Sequence, residues 1–118
     1  MVNYLSSELD LLFYALSDPT RRQIVNMLNS GAYTIGALAE PFDMSLAAIS
    51  KHIKILESAK LLIRKTSGRI HECSINPEAL KTVEEYIQFY TQFWNQHLDS
   101  FVEELEKESQ PTSNERKK

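Results

Sequence analysis

The sequence predicts a mainly helical domain that carries one small β-hairpin, and three observations predict it. Apolar residues recur at helical spacing along most of the chain. One stretch, residues 61–75, breaks that period with short runs containing β-branched residues on either side of Ser67 and Gly68. Three glycines and four prolines in 118 residues are too few for a loop-rich or all-β fold. A chain of this length forms one domain, and it buries a core without needing metals or disulfides. The domain is expected to span 1–109, followed by a polar, disordered tail over 110–118.

The first helix is expected from Leu5, Leu9, Leu12, Phe13 and Leu16, which form one apolar stripe. Ser17, Asp18 and Pro19 interrupt it, with Asp18 as an N-cap and Pro19 in a first helical turn that tolerates it. Ile24, Val25 and Leu28 give a second helix, stopped by Gly31. Thr34 caps a short third helix carrying Ile35, Leu38 and Ala39, and Pro41 lies near its end. Phe42, Asp43 and Met44 make a tight connection, and Ser45 is the next N-cap. Ile49, Ile53 and Leu56 define the buried side of a fourth helix that ends near Ala59. The hairpin follows, with strands over 61–66 and 69–75 and a basic tip. Asn76 and Pro77 then start a last helix. Leu80, Val83, Ile87, Tyr90, Trp94, Leu98, Phe101 and Leu105 recur along it at a mean step of about 3.6 residues, the α period. From 77 to 108 such a helix is about 48 Å long.

Charge is distributed unevenly. The net charge is −3. Over residues 45–71, six cations (Lys51, Lys54, Lys60, Arg64, Lys65 and Arg69) face one acid, Glu57, a local balance of +5. Over 76–110, Lys81 and Lys107 face eight acids, a balance of −6. A basic middle on an otherwise acidic chain is the footprint of a surface that binds a polyanion, or else a solvated charged face.

A short helix, a tight turn and a second helix with small polar residues at its start make a helix-turn-helix. Its second helix can present N-terminal side chains to base edges in the DNA major groove. With Ile49, Ile53 and Leu56 turned inward, the opposite face displays Leu46, Ala47, Ser50, Lys51 and Lys54. Small residues permit close approach, a hydroxyl bonds either way, and two ammonium groups reach phosphates. The hairpin adds Arg64, Lys65 and Arg69 beside that face. Helix-turn-helix followed by a basic hairpin is the layout of a winged helix, which makes double-stranded DNA the expected partner.

The motifs also resemble a known family. Leu16, Ser17, Asp18, Pro19, Thr20, Arg21, Arg22, Gln23 and Ile24 resemble the L-x-D-P-T-R-R-x-I signature of the ArsR-type winged-helix repressors. Residues 45–56, SLAAISKHIKIL, are similar to that family's recognition helix. Leu61 and Leu62 with the wing over 64–69 continue the likeness. Residues 93–99, FWNQHLD, resemble the last helix of a metal-free branch. The likeness covers residues 8–105. It implies a dimeric transcriptional repressor that leaves its operator on receiving a signal, with Ser45, Leu46, Ala47, Ser50, Lys51, His52, Lys54, Arg64, Lys65 and Arg69 facing DNA.

Two departures from the family pattern bear on mechanism. The base-reading corner usually carries a polar residue, whereas Leu46 makes only apolar contacts, for instance with a thymine methyl. That shifts weight to phosphates and DNA shape. The family's metal sensors carry Cys-x-Cys on the third helix, but residues 35–42 contain no cysteine. His97 and Asp99, two apart, do not share a helical face for the other metal site. No metal and no cofactor are expected.

The remaining groups have two readings each. His52 either touches phosphate or packs at the rim of the core. His71 on the wing is solvent-exposed or near phosphate. Cys73, the single cysteine, excludes an internal disulfide framework and is either a small buried residue or a redox switch. Arg21 and Arg22 open a helix, where the dipole disfavours cations. Partners are therefore expected for them, either Asp18 and other acids or DNA phosphate, with a structural ion pair for one of the two.

The last helix is longer than the body of a domain of this size, whose radius of gyration is roughly 13 Å. Its stripe therefore covers something else. A second copy is the simplest answer, with the first and last helices packing across a two-fold axis through Leu5, Leu9, Leu12, Tyr90, Trp94, Leu98 and Phe101. An aromatic-lined pocket for a small-molecule effector is the alternative, and a protein effector is a further one. A winged-helix protein-interaction module that has lost DNA binding is the competing function. No Ser-His-acid order, Gly-rich phosphate loop or paired-carboxylate spacing suggests an enzyme. No apolar run approaches a membrane span, and residues 1–10 do not read as a secretory signal. A cytoplasmic protein is expected.

Overall fold

The computed structural model describes residues 4–109, with side chains from Ser7 onward. The elements run α1 (Tyr4–Leu16), α2 (Pro19–Leu28), β1 (Tyr33–Thr34), α3 (Ile35–Ala39), α4 (Leu46–Ser58), β2 (Leu62–Ser67), β3 (Ile70–Ile75) and α5 (Pro77–Ser109). The chain divides into two units, the first ending at Val83 and the second beginning at Glu84. The tail over 110–118 and the side chain of Leu5 lie outside the described residues.

Local chemistry starts the helices. The Asp18 carboxylate accepts the Arg21 amide at 3.1 Å, ahead of Pro19 in the first turn of α2. Thr34 Oγ1 accepts the Ala37 amide and Ser45 Oγ the Ala48 amide, both at 3.1 Å. Each cap satisfies an amide that the helix itself leaves without a partner. Asn76 fastens the start of α5: its carbonyl oxygen accepts the Glu78 amide at 3.2 Å and its NH2 donates to the Lys60 carbonyl at 2.7 Å.

The end of α4 is tied by two crossed hydrogen bonds. The Leu61 amide donates to the Leu56 carbonyl and the Lys60 amide to the Glu57 carbonyl. This is a Schellman closure, and it requires a left-handed residue, which glycine fills best. Here Lys60 occupies it, at φ 64°. The closure turns the chain directly into β2 and places Leu61 in the core.

The sheet is antiparallel in the order β1-β3-β2. Ser67 pairs with Ile70, so the two-residue turn is Gly68 and Arg69, one residue later than the expected Ser67 and Gly68. Gly68 has φ 63°, which such a turn needs and glycine supplies without strain. Strand β1 was not expected. It contributes only two residues, Tyr33 opposite Cys73 and Thr34 opposite Glu72.

The core of the first unit gathers one face of every element. Leu9, Leu12, Ala15, Ile24, Leu28, Leu38, Ile49, Ile53, Leu56, Leu61, Leu62 and Cys73 are buried. On α1 the buried line is Leu9, Leu12 and Ala15; Phe13, expected on the stripe, is exposed at the surface instead. Leu9 and Leu12 were expected in a dimer interface. They are buried in this chain's own core and have almost no surface left for a second copy. Ala79 of α5 is buried and Leu80 and Val83 pack against the same core. In the second unit every described residue of α5, from Glu84 to Ser109, is exposed. Among the described residues no helix is long and apolar enough to cross a membrane.

Candidate nucleic-acid interface

Helix α4 is fixed from beneath and open from above. Ile49, Ile53 and Leu56 are fully buried, and their anchoring fixes the rotation of the helix. Leu46, Ala47, Lys51 and Lys54 therefore stand exposed, with Ser50 half-buried at the edge of the same face. Ser45 is also exposed. Its oxygen is engaged in the cap, which leaves its hydroxyl proton to donate outward. The first-turn amides of α4 add the positive end of a helix dipole to this corner.

The wing divides its residues between two faces. Ile63, Lys65, Ile70 and Glu72 point outward and are exposed, whereas Leu62 and Cys73 point inward and are buried. Arg69 sits exposed in the turn. Lys65 lies directly opposite Glu72 in the strand register. Cross-strand neighbours stand about 5 Å apart, so Glu72 weakens the positive field of the wing.

Arg64, expected to face DNA, is on the inward side. Its Nη2 donates to Glu57 Oε1 at 3.0 Å, and the side chain is 19% exposed. Its Nε is buried without a partner. Arg64 thus ties β2 to α4, and a phosphate could engage it only by breaking that pair.

His52 occupies the rim. Its Nδ1 lies 3.2 Å from Arg21 Nη1 and 3.8 Å from Asp18 Oδ2. A guanidinium only donates, so this contact is a hydrogen bond when Nδ1 is the acceptor. Of its two expected roles the geometry fits the rim position.

Arg21 is 5% exposed and holds this corner together. Its Nε donates to the Ala15 carbonyl at 2.7 Å and its Nη2 to the Tyr14 carbonyl at 2.9 Å. The guanidinium lies 5.0 Å from the centre of the Tyr14 ring. Arg22 Nη1 donates to the Leu16 carbonyl at 2.7 Å. These cations cap the C-terminal end of α1, where the dipole favours positive charge. The expected ion pair gives way to carbonyl capping. Burial alone would raise the Asp18 carboxyl, but the Arg21 amide, His52, the Arg21 guanidinium and the Thr20 amide outweigh it and hold the group below its usual range.

His71 is half-buried, with Nδ1 3.2 Å from Thr66 Oγ1. Cys73 is fully buried. Burial pushes its thiol up, the Arg64 charge pulls it down and Glu57 adds to the rise. Among the described residues no group of three His, Cys, Asp or Glu side chains is placed to hold a metal.

The apolar side of α5 carries exposed Tyr90, Trp94, Leu98 and Phe101, with Trp94 57% open. Edge-to-face contacts order the aromatic rings, Tyr86 on Tyr90 at 5.0 Å and Phe93 on Trp94 at 5.9 Å. A groove of about 440 Å³ runs along this one helix between Tyr86, Ile87, Tyr90, Thr91, Trp94 and Asn95. A small ligand usually loses most of its surface on binding, which a groove on a single helix does not provide.

Comparison with known proteins gives the same picture. The pattern of bacterial regulatory proteins of the arsR family matches residues 18–64. The transcriptional repressor SdpR of Bacillus subtilis is 39% identical over 70 residues, which are 59% of this chain and 78% of that protein. The crystal structure of an ArsR family transcriptional regulator superposes with a TM-score of 0.74 at 36% identity, covering 80% of this chain and 97% of that one. The homodimeric winged helix-turn-helix DNA-binding domain of a Mycobacterium bovis protein shares the fold, with a TM-score of 0.61 at 22% identity over 79% of this chain and 86% of that one.

Proposed function

This chain belongs to the arsR family of bacterial regulatory proteins, and from that premise we propose that it is a dimeric, sequence-specific repressor that binds a pseudo-palindromic operator and leaves it on receiving a signal. The observation that carries the reading is the face of α4. Its buried side fixes Leu46, Ala47, Ser50, Lys51 and Lys54 outward, with Lys65 and Arg69 on the wing beyond. Ser45 donates from the N-cap, and the four cations Lys51, Lys54, Lys65 and Arg69 take phosphates. Arg64 and His52 serve the frame behind them. The relatives are transcriptional regulators rather than enzymes, and the protein acts in the cytoplasm, where its DNA lies.

A second copy covers α5. Its apolar face leaves Tyr90, Trp94, Leu98 and Phe101 exposed together along one helix, and contiguous exposed apolar side chains mark interaction sites. The homodimeric neighbour of the same fold supports this assembly. On α1 the large apolar residues with surface to offer are Leu11, Phe13 and Tyr14, in place of the buried Leu9 and Leu12. Binding needs no metal.

Sedimentation of the free protein should give about twice 13.6 kDa, and two chains should bind each duplex. Four phosphates per protomer predict a log–log salt slope near −7, at about −0.9 per contact. A monomer that binds one chain per duplex with a slope of about −3.6 would overturn this reading. So would an operator affinity that chelators abolish and a single metal restores.

A further inference from the structure

We propose that α4 reads thymine 5-methyl groups, with Leu46 as the reading side chain and Ala47 beside it. This rests on the DNA-binding function proposed above and says what the operator must contain. Leu46 opens α4, the position from which a recognition helix reaches base edges. It is 58% exposed, although Ile49, Ile53 and Leu56 show that α4 has a core able to take aliphatic residues. Ala47 follows it, also exposed, and Met44 before the cap is 38% exposed. The outward corner of α4 is thus apolar.

The outermost corner, Leu46 and Ala47, carries no hydrogen-bonding side chain; the nearest are the hydroxyls of Ser45 and Ser50 at its edges. Residues 45–58 contain no Arg, Asn or Gln; of the side chains that pair bidentately with guanine or adenine, only lysine is present. The Ser45 oxygen is engaged by the Ala48 amide at 3.1 Å. Lys51 and Lys54 lie one and two turns further along. Of the groups that the four bases present to the major groove, only the thymine methyl is apolar. An exposed Leu and Ala at the reading end of the helix match that group alone.

The test separates the methyl from everything else about the base. Operator duplexes are first selected from a randomised pool by the full chain. Thymines in each half-site are then replaced one at a time by uracil, which pairs identically and lacks only the methyl. At one or two positions per half-site, uracil should lower affinity about fourfold, and about fifteenfold when both half-sites are changed. Leu46→Ala, a surface change that leaves the melting curve in place, should remove most of the thymine–uracil difference. Lys65→Ala should weaken both DNAs and keep the difference.

Equal binding of thymine and uracil operators at every position, with the operator still preferred over random DNA, would overturn this inference and leave the repressor reading intact. A uracil effect undiminished in Leu46→Ala would overturn it too, by assigning the effect to DNA shape. A pool that yields no preferred sequence would remove both readings.

Discussion

Replacing Arg21 by Met tests the idea that this buried cation joins α1, α2 and α4. The guanidinium makes three hydrogen bonds: to the Ala15 carbonyl at 2.7 Å, the Tyr14 carbonyl at 2.9 Å and His52 Nδ1 at 3.2 Å. Hydrogen bonds to a charged group contribute about 1.5–3 kcal/mol each, and a buried acceptor left without its donor costs about 1–3 kcal/mol. The contact with the Tyr14 ring adds about 0.5–1 kcal/mol. The full sum is not lost. Met refills much of the volume, and fraying at the end of α1 lets water reach the Tyr14 carbonyl. A loss of about 3–5 kcal/mol remains, a large share of the ~5–15 kcal/mol that holds a typical domain. Arg21→Lys should still lose about 2–3 kcal/mol, because one ammonium cannot span the positions that the fork reaches. The assay is urea unfolding followed by far-UV circular dichroism at one fixed protein concentration, since association adds to apparent stability. Losses under about 1 kcal/mol for both variants, or a Lys variant equal to the natural chain, would refute the reasoning.

Three further outcomes follow from the same structure. Lys60→Gly should stabilise the fold by about 0.5–1 kcal/mol in the same assay, because φ 64° costs a side chain about 1–2 kcal/mol and glycine's extra unfolded freedom returns part of that. The Cys73 thiol should resist a thiol reagent in the native protein and react fully in denaturant. Its raised folded pKa stabilises the protein fully below the unfolded value and is lost as pH rises through the folded one, so Cys73→Val should gain on the natural chain only above about pH 9. Trp94→Ala should leave the helical spectrum of the folded chain in place but weaken the dimer by about 2–4 kcal/mol, as removal of a central aromatic anchor does; unchanged sedimentation down to nanomolar concentration would show that something else covers α5.

Features set by neighbouring residues were legible in the sequence. Asp18, Thr34 and Ser45 cap helices because each lies just ahead of an apolar periodic run. The spacing of Ile49, Ile53 and Leu56 fixed the inward side of α4, and with it the outward one. Features set by distant partners were not legible. Strand β1 is two residues long and exists only through its pairing with β3, some forty residues away. Arg64 looked like its neighbour Lys65 in sequence, but strand alternation turns it towards Glu57. Leu9 and Leu12 advertised an apolar face without saying what covers it, and the core of the same chain does so. Ala15, too small to mark a stripe, fills the place that Phe13 seemed to claim. The two arginines after Pro19 carried the clue to their own role, since cations at a helix start need a reason, and the preceding helix end supplies one.

The assignment of α4 and the wing as the DNA-reading surface is tested most directly by a pair of affinities measured at one salt concentration, for the operator and for random DNA of equal length. The natural chain should prefer its operator by at least about a thousandfold. Lys65→Ala, which on this assignment removes a phosphate contact, should lower both affinities alike and flatten the salt slope by about two units per dimer. Ser50→Ala should weaken the operator more than random DNA, because only a specific site satisfies that hydroxyl. Equal affinity of the natural chain for the two DNAs, with neither variant changing it, would contradict the assignment of α4 and the wing as the surface that reads DNA.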